Sequence, residues 1–167
     1  MPDTRTIARA KRDRAEGKSA STQAGEFVHE EIEHIRKGKH GARSARQAIA
    51  IGLSEARRAG VKLPAPKPES ASAETRRQAT RDLARGKSGK AAKPAAARSR
   101  ASRRALQHEG DAAASPTALS RQAKRAAATR SPSSRHAAAE KAVRTKATAG
   151  RKAAAKKAAR TRAREKS

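Results

Sequence analysis

The chain has 167 residues and a formal net charge of +27, and leucine, isoleucine, valine and phenylalanine together supply only 14 of them. That is well under the ~20% at which a highly charged chain falls short of a packed core, so a conventional hydrophobic interior along the whole length is excluded. The absence of cysteine removes disulfides, thiol catalysis and Cys-based zinc sites.

Residues 1–20 are polar and basic, and they read as an N-terminal arm of coil or frayed helix. The segment MPDTRTIARAKRDRAEG has no apolar h-region and is no secretory signal. No stretch approaches the ~18 apolar residues of a membrane span. These points predict a soluble, intracellular protein without a membrane partner.

The first strong element is STQAGEFVHEEIEHIRKGKHG, capped by Ser21 or Thr22. Ala24, Val28, Ile32 and Ile35 fall on one helix face with Phe27 beside them. Glutamates fill the early turns and Arg36 and Lys37 the last, as the helix dipole favours, and Gly38 is a natural stop. The second element runs from Ala45 to Ala59. Ser44 and Gln47 form a capping box before it, Gly60 and Val61 suit a Schellman ending, and Pro64 forbids continuation. Ala45, Ala48, Ile49, Gly52, Leu53, Ala56 and Ala59 share a face whose centre is small, so another helix could approach closely. Arg46 and Arg57 lie outside that face. The two elements make a helical hairpin over 21–63. Nine of the 14 large apolar residues lie between Phe27 and Leu63, too few for the hairpin to stand alone. It needs a third helix, a second copy or a bound partner, and the 45–59 face could serve a homodimer or a protein partner.

After Pro64 the texture changes. Residues 64–73 form a proline-rich linker. Residues 74–130 form a basic segment with short helices predicted over 73–85, 99–109 and from Pro116 onward, the last capped by Ser115. Each carries one large apolar residue, Leu83, Leu106 or Leu119, and each is helical through alanine propensity and marginal in water. Residues 131–167 contain a duplicated polycation module, AAAEKAVRTKA (137–147) and AAAKKAARTRA (153–163). The fold class expected is all-α: a small helical hairpin followed by a long, mostly disordered Ala/Lys/Arg-rich tail with marginal helices.

Little in the chain suggests catalysis. The zincin pattern H-E-x-x-H needs histidines four apart, whereas His29 and His34 are five apart and point to different sides of a helix. His29–Glu33 and Glu30–His34 read instead as i,i+4 pairs. Gly17-Lys18-Ser19 and Gly86-Lys87-Ser88 resemble the end of a P-loop, but Arg12 and Arg81 stand where its first glycine belongs. No enzyme activity, catalytic residue, metal or cofactor is expected.

Charge carries the functional reading. Residues 1–63 hold 14 Lys/Arg and 8 Asp/Glu; residues 64–167 hold 28 and 7. Such asymmetry points to a polyanion, duplex DNA first among them. One phenylalanine, no tyrosine and no tryptophan exclude aromatic stacking platforms. What remains is contact of Lys and Arg with phosphates, which gives affinity without sequence choice. The candidate contacts are Arg36, Lys37, Lys39, His40, Arg43, Arg46 and Arg57 on the hairpin, and Arg151, Lys152, Lys156, Lys157, Arg160, Arg162 and Arg164 in the tail.

KHGARSARQAIAIGLSEARRAG resembles the signature of a family of small, basic, largely uncharacterised bacterial proteins often labelled plasmid-stabilisation or DNA-binding proteins. The resemblance is closest over Ser21–Leu63, and ALSRQAKRAA and AARTRAR are similar to phrases in its longer members. It implies DNA binding in the cytoplasm, at the nucleoid or on a plasmid, and brings no catalytic residues. AAKPAAA and RKAAAKKAARTRAR are similar in composition to the tails of linker histones and histone-like bacterial proteins. The alternatives are a protein-interaction component of a plasmid-stability or stress module, and an RNA- or ribosome-associated basic protein.

Overall fold

The central pair of helices forms where the capping signals place it. The structure, a computed structural model, describes residues 2–89 and 96–145, and every regular element among them is helical. They are α1 (Thr4–Ala15), α2 (Ala20–Arg36), α3 (Ala45–Arg58), α4 (Ala73–Ser88), α5 (Ala96–Gln107), α6 (Pro116–Ala128) and α7 (Pro132–Thr145), with short 3₁₀ turns at Pro68–Ser70 and Ala112–Ala114. The chain divides into two compact units, Met1–Gln122 and Ala123–Ser167.

At the start of α3 the Ser44 hydroxyl accepts from the Gln47 N–H (3.2 Å), and the Gln47 side chain accepts in return from the Arg43 N–H (3.0 Å). The return bond lands one residue before the cap, but it satisfies a free amide just as a capping box does. Ser44→Ala should therefore cost ~1 kcal/mol, read as a lower thermal midpoint in a calorimetric scan. At the far end, the Val61 N–H donates to the Ala56 carbonyl and the Gly60 N–H to that of Arg57, with Gly60 at φ +92°. That is a Schellman ending, and Val61 packs in one core cluster with Ala56. The same pattern closes α2 at Gly38 and α1 at Gly17. Ser19, rather than Ser21 or Thr22, caps α2 and accepts from the Thr22 N–H. Gly17-Lys18-Ser19 is thus a turn between helices, with the Lys18 ammonium 2.7 Å from the buried Asp13 carboxylate.

The small face of α3 meets α2 closely. A Cβ at Gly52 would stand 2.7 Å from the Val28 Cα and 2.9 Å from its nitrogen. Phe27, fully buried, anchors one cluster with Ala10, Ala24, Ala56 and Val61, flanked by Ile7, Leu53 and Leu63. A second cluster joins Ile35, Ala42, Ala48, Ala113 and Ala114, with Ile32 alongside.

The hairpin is not a free-standing unit before a tail, because it forms the middle of a multi-helix domain. The N-terminal residues, expected as an arm, contain α1, which packs on α2 and buries Thr6, Ala10 and Asp13. The α4 helix packs on α3 despite its single leucine. Its contact is small and polar: Ala79 and Asp82 are buried, and the Asp82 carboxylate accepts from Ser54 Oγ (2.6 Å) and Gln78 Nε2 (3.2 Å). Gly86, in the second P-loop-like triplet, lies against the Arg57 carbonyl so tightly that a Cβ there would collide with it. Finally, the end of α5 and the 112–114 turn close over the α2–α3 connector. Gly41 N–H donates to the Leu106 carbonyl (2.8 Å), Ala42 N–H to that of Gly110 (3.1 Å), and Arg36 Nε to that of Ala114 (3.1 Å). Company for the hairpin thus comes from within its own chain.

In the second unit, Ser131 caps α7 by accepting from the Ser134 N–H, and Pro132 takes its first position. Val143 is half exposed and His136 pairs loosely with Glu140 (3.7 Å). The first copy of the repeat therefore begins as helix, and the second, 153–163, lies outside the described residues.

Candidate nucleic-acid interface

The hairpin cations separate into three groups. Lys39 and Arg46 are exposed, and neither forms an ion pair among the described residues. Arg36 and Lys37 share the Glu33 carboxylate at 3.2 and 3.8 Å, and Arg43 reaches Glu109 at 3.5 Å while staying exposed. His40 and Arg57 turn inward. Arg57 is only 8% exposed; its Nε and Nη2 donate to the Leu63 and Pro64 carbonyls at 3.2 and 3.1 Å. Its guanidinium fastens the chain leaving α3 as that chain crosses toward α4. Burial lowers the Arg57 pKa, and the nearby Asp82 carboxylate opposes the shift. His40 is half-buried, with Nε2 at 3.6 Å from Glu31 Oε2.

Beneath His40, burial pushes the Glu31 carboxyl up to about 7, with the His40 charge opposing. Burial likewise lowers the His34 pKa and raises that of Glu55. The Glu30–His34 pair expected from sequence is present at 3.6 Å. This face of the connector is largely closed and lined with carboxylates.

Three further helices carry cations that the sequence reading did not single out. On α4, Arg77, Arg81 and Arg85 follow at i, i+4, i+8, all exposed. On α5, Arg100, Arg103 and Arg104, and on α6, Arg121, Lys124 and Arg125, repeat the spacing i, i+3, i+4 and are exposed too. Such spacing gathers three charges along one helix side. None of these nine has an ion-pair partner among the described residues. The spacing was visible in the sequence, but without knowledge of which side each helix buries it could not be told from charge on all sides. A cleft of about 560 Å³ adds a fourth cationic feature: Lys11, Arg14, Lys62 and Lys87 border it over a floor that includes Ile7 and Phe27. The tail candidates Arg151, Lys152, Lys156, Lys157, Arg160, Arg162 and Arg164 lie outside the described residues.

Fold and charge together define a small, strongly cationic protein, helical throughout the regular elements of its described residues and built around a capped hairpin. Residues 4–67, spanning α1 to α3 and the exit from the hairpin, match the model of a family described as a family of unknown function (DUF6496). No curated protein and no solved structure matches the chain. Among the described residues, no helix is long and apolar enough to cross a membrane.

Proposed function

We propose that the protein binds duplex DNA without sequence preference, on the nucleoid or a plasmid, by neutralising phosphates, and performs no catalysis. The observation that carries this reading is the contrast in pairing. In the hairpin region carboxylates answer many of the cations, as in Arg9–Glu26, Lys18–Asp13, Arg36–Glu33 and Arg58–Asp82. On α4, α5 and α6 the nine ridge cations are exposed and have no ion-pair partner among the described residues. Keeping like charges at i, i+3 and i+4 destabilises a helix on its own, and phosphates lining up along it reverse the sign of that effect.

The test is fluorescence anisotropy of the whole protein on two unrelated duplexes across a salt series. With ~10 phosphates engaged, log K should fall with log[salt] at a slope near −9, equally for both duplexes. A salt-insensitive affinity, or a strong preference for one duplex, would refute the reading. A structured RNA of equal length serves as competitor; tighter binding to it would move the assignment from DNA to RNA.

A further inference from the structure

The closed side of the connector holds a cluster for which phosphate binding has no use. Glu31 and His34 stand three residues apart on α2, so their side chains leave one face of the helix. The chain then reverses at Gly38, and the connector carries His40 back over them. The Glu31 carboxylate and the two imidazoles each offer a donor atom, and the three donors lie within 4.8 Å of one another. Bonds of ~2.1 Å at tetrahedral angles would set such donors ~3.4 Å apart, close to the 3.6 Å between His40 Nε2 and Glu31 Oε2.

Two observations fit a cation there. Glu31 is 2% exposed and its Oε1 has no hydrogen-bond partner; Glu30 beside it is 7% exposed and its Oε2 has none either. Buried carboxylate oxygens are rarely left so, because each has given up water for nothing. The second observation is the orientation of His40. Its Nδ1 lies 3.2 Å from the Gly41 carbonyl, which can only accept, so Nδ1 carries the proton in the neutral ring. In that tautomer Nε2 presents a lone pair toward the Glu31 carboxylate, an arrangement relieved by a proton on Nε2 or by a bound cation between the two. An imidazole held by a backbone carbonyl through one nitrogen, with the other free, is the usual posture of a metal ligand.

We propose that Glu31, His34 and His40 form a binding site for a divalent transition-metal cation of the zinc type. Two imidazoles and one carboxylate suit such an ion better than calcium or magnesium, which prefer all-oxygen shells. Glu30, held by the Asp3 N–H at 2.7 Å, walls the site on the side of α1. Three protein donors leave a position for water. The bound ion would tie the connector to α2 and stabilise the domain by mass action.

Calorimetric titration of the full-length, tag-free, chelator-treated protein with Zn²⁺ tests this. One ion per chain should bind, and the thermal midpoint should rise with Zn²⁺ concentration. His34→Gln, His40→Gln and Glu31→Gln should each weaken binding at least ~10-fold, whereas His136→Gln should leave it unchanged. Imidazole NMR of the wild-type protein needs no variant. Of the five histidines, the rings of His34 and His40 should shift on Zn²⁺ addition and the other three should not. Absence of saturable one-per-chain binding would overturn the site. So would a response confined to His29, His108 or His136.

Discussion

Gly52→Ala is expected to destabilise the domain by ~2 kcal/mol and to lower its thermal midpoint by about 10 °C. In an isolated helix the same change would help, since alanine is favoured over glycine by ~1 kcal/mol in a helix interior. The sign is reversed by what the new methyl group meets. At 2.7 Å from the Val28 Cα, 2.9 Å from the Val28 nitrogen and 3.0 Å from the Phe27 carbonyl oxygen, its neighbours are all backbone atoms of α2. No rotamer can move them, so α2 and α3 must separate and loosen the Phe27 cluster. Gly25→Ala supplies the opposite control. Gly25 lies inside α2, is exposed, and has nothing within 4 Å of the point where a Cβ would stand. There the intrinsic preference acts alone, and stability should rise by ~0.5–1 kcal/mol. Thermal scans of both variants check the pair. Equal effects in the two would mean that the helices do not approach at Gly52.

The parts of the fold legible in the sequence are those specified locally. Ser44, Gln47, Gly60 and Pro64 act within a turn of their own positions, so the boundaries of α3 could be read without knowing any partner. The small centre of its face likewise announced a close neighbour. The flanking helices were hidden because their packing is not hydrophobic in the ordinary sense. α1 offers one large apolar residue, Ile7, and buries Thr6 and Asp13 beside Ala10; α4 buries Asp82, satisfied by Ser54 and Gln78. Counting large apolar side chains cannot detect a contact made of alanine, threonine and a hydrogen-bonded carboxylate. The direction of Arg57 was hidden for the same reason: the helical wheel put it outside the α2 face, and the chain at 63–64 covers that outer side. The Glu31–His34–His40 cluster could not be found by spacing on one helix, since His40 arrives from the connector after a reversal.

Burial or ion pairing occupies several of the hairpin cations. His40 and Arg57 are occupied elsewhere, Arg36 and Lys37 share a carboxylate, and the 106–114 segment covers part of the connector. Carboxylates balance part of the charge of residues 1–63, and Lys39 and Arg46 are the exposed sequence-derived candidates there without an ion pair among the described residues. The larger part of the unbalanced charge lies from residue 64 onward.

Replacing Arg100, Arg103, Arg104, Arg121, Lys124 and Arg125 together by glutamine should therefore flatten the salt slope of duplex binding from about −9 to about −4, if all six contact phosphate. Affinity at low salt should fall by at least ~100-fold, since each lost phosphate contact removes its released counterion. Glutamine matches arginine closely in helix propensity, so the helices should persist, and circular dichroism can verify that they do. Arg57→Gln provides the contrasting arm. Its guanidinium, itself buried, donates to two backbone carbonyls, and charged hydrogen bonds contribute ~1.5–3 kcal/mol, so this variant should lose stability while its salt slope stays near −9. The two outcomes separate a charge that binds from a charge that folds. An unchanged slope in the six-residue variant would place the phosphate contacts elsewhere and refute the assignment to α5 and α6. A flattened slope in Arg57→Gln would show that the exit from the hairpin belongs to the interface after all.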